Sequence, residues 1–385
     1  MKINHPLITA VHNELIEKVR EFAAKEVRPV VQRLDEKEEF SVELTRKMGK
    51  LGLFGMNLPV EYGGRGSDYF SLVLAVEELA KVDSSQAAMV ASHNSLGIGP
   101  IFQFGTPEQK QKYLPQLVTG DKLWAFGLTE TTAGSDSRGT QSTGELVNDR
   151  WLINGSKMFI TNASSELSAG ITLQVVTGTT PAGDKELSTI LIEKETAGYH
   201  AERILGKMMW RSADTARLQF ENCSVPAGNL LGDRGAGSHV MLKTLDSGRL
   251  TIAAIGLGLA EGAFEIALAY AKGRVQFGKP VSKFQAISFK LADMAMKIEA
   301  ARNLLYQAVW LKDNKHSFGK EAAMAKLYCS EVAREAADEC VQIHGAYGLV
   351  KGSEAERFFR DQRILQIGEG TSEILRLVIS RHIGC

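Results

Sequence analysis

Three things are scarce in this sequence, and each scarcity excludes a class of protein. Cysteine is one: the four residues Cys223, Cys329, Cys340 and Cys385 form no C-x-x-C pair, and no His/Cys/Asp cluster has metal-ligand spacing. Neither a disulfide framework nor a metal site is expected, and the thiols read as reduced in a cytosol-like compartment. An excess of charge is another: 45 basic residues balance 45 acidic ones. That removes the electrostatic case for nucleic acid or an anionic membrane surface, so any anionic ligand must be met locally. Long apolar runs are the third. None reaches about 18 residues, so no membrane span is expected. The N-terminus has neither an apolar signal core nor an acid-poor, Arg-rich presequence. The expectation is therefore a cytoplasmic bacterial protein, or a mitochondrial matrix protein if the chain is a processed form. Internal repeats and low-complexity tracts are lacking too.

What is present divides into three blocks. At 385 residues the chain exceeds what one core usually holds. Residues 1–121 show helical periodicity at 8–27, 42–51, 71–80 and 86–96, broken at glycine-rich or proline-bearing stretches such as Pro59-Val60-Glu61-Tyr62-Gly63-Gly64 and Thr106-Pro107. Residues 122–230 shorten into β-like runs at 124–128, 151–161, 171–177, 187–193 and 218–220. Residues 231–385 are helical again, with long segments at 236–272, 283–313 and 320–343 and a last helix near the end. The fold class is α+β multidomain, in the order α, β, α.

Two glycine-rich places invite a dinucleotide reading, Gly256-Leu257-Gly258 and Gly235-Ala236-Gly237. Neither has the third glycine of G-x-G-x-x-G, and neither follows a strand in a βαβ unit, so a nicotinamide site is not expected. The Gly256 segment instead suits close helix packing. A different constellation lies in the β block. Leu128-Thr129-Glu130-Thr131-Thr132-Ala133-Gly134-Ser135-Asp136 is a strand end running into a loop of small residues, which offers N–H groups and hydroxyls to a polar ring or phosphate. Met158-Phe159-Ile160-Thr161-Asn162 places an aromatic and a hydroxyl two residues apart, on one face if the strand alternates, as a flat heteroaromatic ring would need. A core Phe and a strand-forming Thr fit the same run equally well. At Arg274-Val275-Gln276-Phe277-Gly278-Lys279-Pro280-Val281 one long helix ends and another begins, leaving Arg274 and Gln276 beside an aromatic. That suits a pyrophosphate and an adenine edge, or simply a basic helix end.

The organising stretch is Gln366-Ile367-Gly368-Glu369-Gly370-Thr371-Ser372-Glu373-Ile374. Glu369 stands between two glycines, just before Ile374, Leu375, Leu377 and Val378, which have the spacing of one buried helix face. Thr371 or Ser372 is a natural cap. Flanking glycines permit backbone angles that present the carboxylate to a cavity.

Taken together, L-T-E-x-x-A-G-S-D, K-M-F-I-T-N, R-x-Q-F-G-K, Q-I-H-G-A-Y-G and I-G-E-G-T-S-E-I, in this order, resemble the acyl-CoA dehydrogenase family over essentially the whole chain. The resemblance implies an FAD flavoprotein with an N-terminal α-helical domain (1–121), a middle β-barrel-like domain (122–230) and a C-terminal four-helix bundle (231–385). It implies a homotetramer, a dimer of dimers, that oxidises an acyl-CoA thioester to the trans-2-enoyl-CoA and passes electrons to an electron-transfer flavoprotein. It assigns Leu128, Thr129, Gly134 and Ser135 to the flavin and thioester, and Phe159 and Thr161 to the isoalloxazine ring. Arg274, Gln276, Phe277, Gln342, His344 and Gly345 would hold the pyrophosphate and adenine across a subunit boundary, with Thr371 and Glu373 on the other side. Ser135, Asp246, Arg249 and Gly370 would contact substrate. Glu369 would be the base that takes the α-proton. His344 also reads as a satisfied interface histidine.

Some positions depart from the family pattern. Thr131 replaces a usual proline, Ala346 a frequent glycine, and Gly368 the tyrosine that precedes the base in many straight-chain members. Gly368 widens the wall beside Glu369, so a branched or cyclic acyl group is allowed. Arg249 and a retained Glu369 argue against the isovaleryl type, and Ala87 against a dicarboxylic substrate. Met89, Val90, Ser92 and His93 are the expected pocket floor, and the polar pair suggests a short acyl group. An acyl-CoA oxidase or enoyl-CoA reductase on the same fold, and more distantly a non-catalytic helical assembly protein, are the alternatives.

Overall fold

The computed structural model describes residues 5–385. Seven helices come first: α1 (Ala10–Phe22), α2 (Arg28–Glu36), α3 (Val42–Leu51), α4 (Tyr69–Ala80), α5 (Ser84–Ser92), α6 (Gly99–Phe104) and α7 (Pro107–Leu117). Thr9, Ser41, Asp68, Asp83 and Thr106 each cap the following helix by accepting an otherwise orphaned first-turn N–H. Pro107 therefore starts a helix instead of only breaking one, because an N1 residue needs no N–H partner. Where the 3.6-residue pattern over 86–96 reads as one helix, the chain turns π-helical at His93–Ile98. Such widened turns often accompany functional sites.

Seven strands follow: β1 (Leu123–Gly127), β2 (Thr143–Val147), β3 (Arg150–Thr161), β4 (Ser168–Thr179), β5 (Lys185–Glu193), β6 (Tyr199–Arg203) and β7 (Thr215–Pro226). They make one sheet in the order β1-β4-β2-β3-β7-β6, with β5 on β4. β2 and β6 are absent from the periodicity because they are short and mostly out of the core; β2 buries only Gly144 of its five residues. The sheet has a core of its own, around Trp151, Ile153, Ile171 and Phe220.

The C-terminal block holds α8 (Gly237–Gly273), a hairpin of β8 (Val275–Gln276) and β9 (Lys279–Pro280), then α9 (Gln285–Asp313), α10 (Gly319–His344), α11 (Glu354–Asp361) and α12 (Ser372–His382). α8, α9 and α10 pack on one another and α12 packs on α10, which makes a four-helix arrangement. α8 is apolar and long enough to cross a membrane by composition, but 78% of its most apolar window is buried in the protein. It is a core helix, and its glycines make it one. A Cβ on Gly256 would lie 3.0 Å from the Cys329 carbonyl of α10. On Gly258 it would lie 2.1 Å from that of Glu77 in α4.

The N- and C-terminal helices share one continuous core. A buried charge network fastens them further. Arg302 of α9 donates to Glu77 of α4 at 2.6 Å and to Glu261 of α8, Lys81 meets Glu261 at 2.5 Å, and the Tyr306 hydroxyl donates to Glu77 at 2.9 Å. Each charge here has its opposite. Removing one partner of such a pair strands the other in a dry interior, at roughly 3–5 kcal/mol.

Candidate active site

Glu369 occupies the turn between α11 and α12 with φ 54°, a left-handed conformation uncommon for a residue with a Cβ. Gly370 follows at φ 104°. Thr371 caps α12 by accepting from the Ile374 N–H at 3.2 Å. Only Leu375 of the four expected apolar positions is buried, and Leu377 is 43% exposed, because α12 lies against α10 along a narrow line. The turn itself is half-buried, but the Glu369 carboxylate points inward, where its Oε2 is sealed from solvent and has no hydrogen-bond partner. Its main-chain N–H likewise donates to no group among the described residues.

Gly248 of α8 makes room for this carboxylate. A Cβ on Gly248 would sit 2.0 Å from Glu369 Oε2 and 3.0 Å from Leu96 Cδ2, so no side chain fits without displacing the acid. Burial lifts the Glu369 carboxyl from its ordinary 4.5 to about 7, against the pull of Lys326 and Arg249. Arg249 is buried, pairs with Asp246 at 2.9 Å and leaves its Nε without a partner. Lys326 of α10 is fully buried and donates to the Gly370 carbonyl at 2.7 Å. Gly248 and Lys326 are not among the expected site residues. The signal for Lys326 was available, since a lysine interrupts the buried stripe Ala322, Ala325, Cys329, Ala333. Gly248 has no such signal, because its role appears only when a distant turn is brought against it.

A cavity of about 570 Å³ is lined among others by Tyr69, Ser95, Asp246, Ser247 and Lys312, though not by Glu369 itself. It reaches the immediate neighbours of Leu96 and Gly248. Lys312 donates to Ser247 Oγ at 2.8 Å and lies 4.4 Å from the Tyr69 ring, while Lys243, His316 and His382 also line the wall. The expected floor differs. His93 is fully buried and committed to main chain, with Nε2 donating to the Leu117 carbonyl at 2.8 Å and Nδ1 accepting from the Trp124 N–H at 3.2 Å. Asn94 and Ser95, not His93, line the cavity.

The Leu128-Thr129-Glu130 loop is built on a buried ion pair. Lys157 Nζ donates to Glu130 Oε1 at 2.8 Å and to the Leu128 carbonyl at 3.2 Å. Glu130 also accepts from the Gln141 and Ser142 N–H groups, and Thr129 accepts from Met158 N–H at 2.9 Å. Gly134 and Ser135 are exposed, and a Cβ on Gly134 would meet nothing within 4 Å. Strict alternation does not carry Phe159 and Thr161. The β3–β7 register slips between Lys157 and Ile160, and Phe159 takes φ 61°. This bulge turns Phe159 outward, 65% exposed, while Thr161 stays half-buried and Asn162 buried. Bulges commonly re-aim a side chain at a site. An exposed aromatic in a strained backbone, beside a hydroxyl and an open glycine loop, fits a flat ring.

The remaining residues form a separate patch. Arg274, Gln276 and Phe277 stand exposed on the β8–β9 hairpin, Phe277 at 93% and φ 50°. The Gln276 side chain donates to the neighbouring Val275 carbonyl. Tyr270 links this hairpin to α10: its carbonyl accepts from Arg274 N–H at 2.8 Å and its ring lies 4.4 Å from that of His344. His344 Nδ1 donates to the Cys340 carbonyl at 2.7 Å, so Nε2 is left for another partner. Gln342 and Gly345 are exposed next to it, Gly345 at φ 60°. Among the described residues no hydrogen bond or ion pair joins this patch to Phe159, Thr161 or Glu369. Glu373 is exposed in the first turn of α12.

Three family models match in succession: "Acyl-CoA dehydrogenase, N-terminal domain" over residues 9–121, the middle domain over 125–223 and the C-terminal domain over 235–384. A probable acyl-CoA dehydrogenase, YngJ, of Bacillus subtilis is 47% identical over 367 residues, 95% of this chain and 96% of the relative. The butyryl-CoA dehydrogenase of Megasphaera elsdenii superposes with a TM-score of 0.94 at 40% identity over 100% of both chains. A chain from a structure described as the electron transferring flavoprotein of Acidaminococcus fermentans gives 0.95 at 42% identity, again over 100% of both.

Proposed function

Since this chain belongs to the acyl-CoA dehydrogenase family, whose members are FAD-dependent oxidoreductases, we propose that it converts a short acyl-CoA thioester to the trans-2-enoyl-CoA, with Glu369 as the base. The observation that carries this is the buried, unpartnered Glu369 Oε2 against Gly248, whose neighbour Ser247 lines the cavity. A buried polar atom normally has a partner, and one without is a place for a ligand group.

An α C–H beside a thioester is a far weaker acid than an ordinary carboxyl, and two features narrow the gap. Desolvation raises the basicity of Glu369 toward that of the activated α-carbon. The unused Glu369 N–H is a donor for the thioester carbonyl, where charge develops as the proton leaves. FAD, when bound, would supply the redox chemistry as acceptor of the β-hydride. Phe159 and Thr161, with Leu128, Thr129, Gly134 and Ser135, would hold its ring. Arg274, Gln276, Phe277, Gln342, His344 and Gly345 would hold the dinucleotide tail of a neighbouring subunit's FAD, with Thr371 and Glu373 near the opposite side. That division is supported by the separateness of the two patches within one chain. It calls for a homo-oligomer, a tetramer in our reading, with the domains divided at 121/122 and 230/231. The exposed apolar positions Phe289, Met296 and Trp310, seven and fourteen residues apart on α9, supply a face for a second copy.

Asp246, Arg249 and Gly370 would lie against the thioester, and Lys243 and Lys312 of the cavity wall would meet the phosphates of coenzyme A. Gly368, which has no side chain to wall the space beside Glu369, is our reason for including a branched acyl group; a Cβ there would meet Ile364 at ordinary contact distance, the nearest atom at 3.5 Å. An electron-transfer flavoprotein takes the electrons onward. The test is anaerobic titration of the FAD-loaded protein with butyryl-, isobutyryl-, octanoyl- and cyclohexanecarboxyl-CoA, watching the flavin absorption. Bleaching by the short esters is expected. A colourless protein that resists FAD loading, or a flavin that no acyl-CoA bleaches, overturns the assignment, and a strong octanoyl preference overturns the short-chain reading.

A further inference from the structure

One buried charge beside the base has no part in the chemistry above. Lys326 sits fully enclosed on α10 in a stripe otherwise made of alanine and Cys329. Lysine is almost never fully buried without a carboxylate to meet it. Here its one hydrogen-bond partner among the described residues is a neutral group, the Gly370 carbonyl at 2.7 Å. That carbonyl belongs to the residue after Glu369, in the turn whose left-handed angles aim the carboxylate at Gly248. Burial acts most strongly on the amine and lowers it from its ordinary 10.5 to about 7; of the charged groups, Glu369 itself, Glu331 on α10 and Glu373 on α12 hold its proton, while Arg249 across on α8 opposes it. The strongest carboxylate influence on it is that of Glu369.

We propose that Lys326 is the positioning residue of the base: it pins the Gly370 carbonyl, which fixes the Glu369 turn, and lends its positive field to the carboxylate without occupying a carboxylate oxygen. This rests on the reading of Glu369 as the α-proton base. The indirect arrangement has a chemical reason. A direct lysine–carboxylate hydrogen bond would use a lone pair that the α-proton must reach, and would stabilise the anion enough to blunt it as a base. An ammonium held one residue away keeps the acid ionisable in a dry site while both Glu369 oxygens stay available. Arg249 contributes to the same field from α8 but bonds Asp246, so it cannot replace the tether to the turn.

The test compares wild type, Lys326→Met and Lys326→Arg, each loaded with FAD. Two readouts are taken against pH: the infrared C=O band of protonated Glu369, isolated by difference from Glu369→Gln, and the rate of flavin reduction by butyryl-CoA. Removing the cation should move the infrared midpoint upward by roughly one pH unit. Reduction at pH 7 should then slow about fivefold, with recovery at high pH. Lys326→Arg should return the midpoint toward wild type. A midpoint unmoved in Lys326→Met, or one that Lys326→Arg fails to bring back toward wild type, overturns the proposal, since lost packing alone would act that way. If Lys326→Met does not hold FAD, Lys326→Gln, which keeps a donor but no charge, is read by the same criteria. A wild type that butyryl-CoA fails to reduce would instead count against the Glu369 assignment.

Discussion

Two clusters of buried charge are strung along α8, and they are built on opposite principles. Around Glu261, every charge meets its opposite: Arg302, Glu77, Lys81 and Glu78 form a closed set between the N- and C-terminal helices. Around Arg249, twelve residues earlier in the helix, the set is left open. Glu369 Oε2 and Arg249 Nε have no partner, and Lys326 bonds only a main-chain oxygen. The first arrangement holds the fold together. The second leaves polarity unsatisfied, and Asp246, the ion-pair partner of Arg249, lines the cavity. An oxygen without a hydrogen bond does not by itself separate the two, since Glu261 Oε2 lacks one as well; the difference is that Lys81 stands 2.5 Å from Glu261, whereas Glu369 has no ion pair among the described residues.

Substitutions that cross the two clusters sharpen this contrast. The largest expected effect is that of Glu369→Gln, which should lower turnover by about three to four powers of ten while sparing FAD content, measured by steady-state kinetics and flavin absorbance. Next, Arg302→Ala should lower stability by roughly 3–5 kcal/mol in denaturant unfolding, because Glu77 and Glu261 lose their partner, yet leave turnover per bound FAD near wild type. Equal damage to activity in that variant would break the comparison. Gly248→Ala comes third. Its Cβ must push the carboxylate aside, and a displacement of that order costs about a hundredfold in flavin reduction rate.

The pH response should also separate the clusters. Glu369 acts as an anion and its carboxyl lies at about 7, so kcat/KM should rise with pH through that region. The stability effect has the reverse sign. The folded state binds the Glu369 proton more tightly than the unfolded chain, so its contribution is full below 4.5 and is lost as pH rises to about 7. Glu369→Gln should therefore be more stable than wild type at pH 8, by about 1–3 kcal/mol in denaturant titrations, whereas Arg302→Ala is less stable. The smallest effect is expected at the exposed patch. Arg274→Ala should weaken FAD retention by about tenfold, with a dependence on protein concentration if the tail is held between subunits, which dialysis and sedimentation would measure.

Much of this was legible in the sequence, for identifiable reasons. Long helices with deep apolar stripes, such as α8 and α10, show themselves by period, and Glu369 by its two glycines. β2 is hidden because it buries one residue. The Phe159 bulge is hidden because a left-handed residue in a strand leaves no mark in an alternation pattern. His93 looked like a pocket residue until Leu117 and Trp124 were seen to claim both its nitrogens. Lys326 shows itself as a lysine in an apolar stripe, though not what it meets, and Gly248 reaches the Glu369 turn only through packing between helices far apart in the chain, which no local motif encodes.

The claim that Glu369 takes the α-proton is tested most directly by the fate of that hydrogen. FAD-loaded wild type and Glu369→Gln would each be incubated anaerobically in ordinary water with butyryl-CoA deuterated at both α positions, and the recovered esters analysed by mass spectrometry. The account predicts loss of one α-deuteron with wild type and retention of both with the variant. Deuterium loss from the variant at the wild-type rate would contradict it.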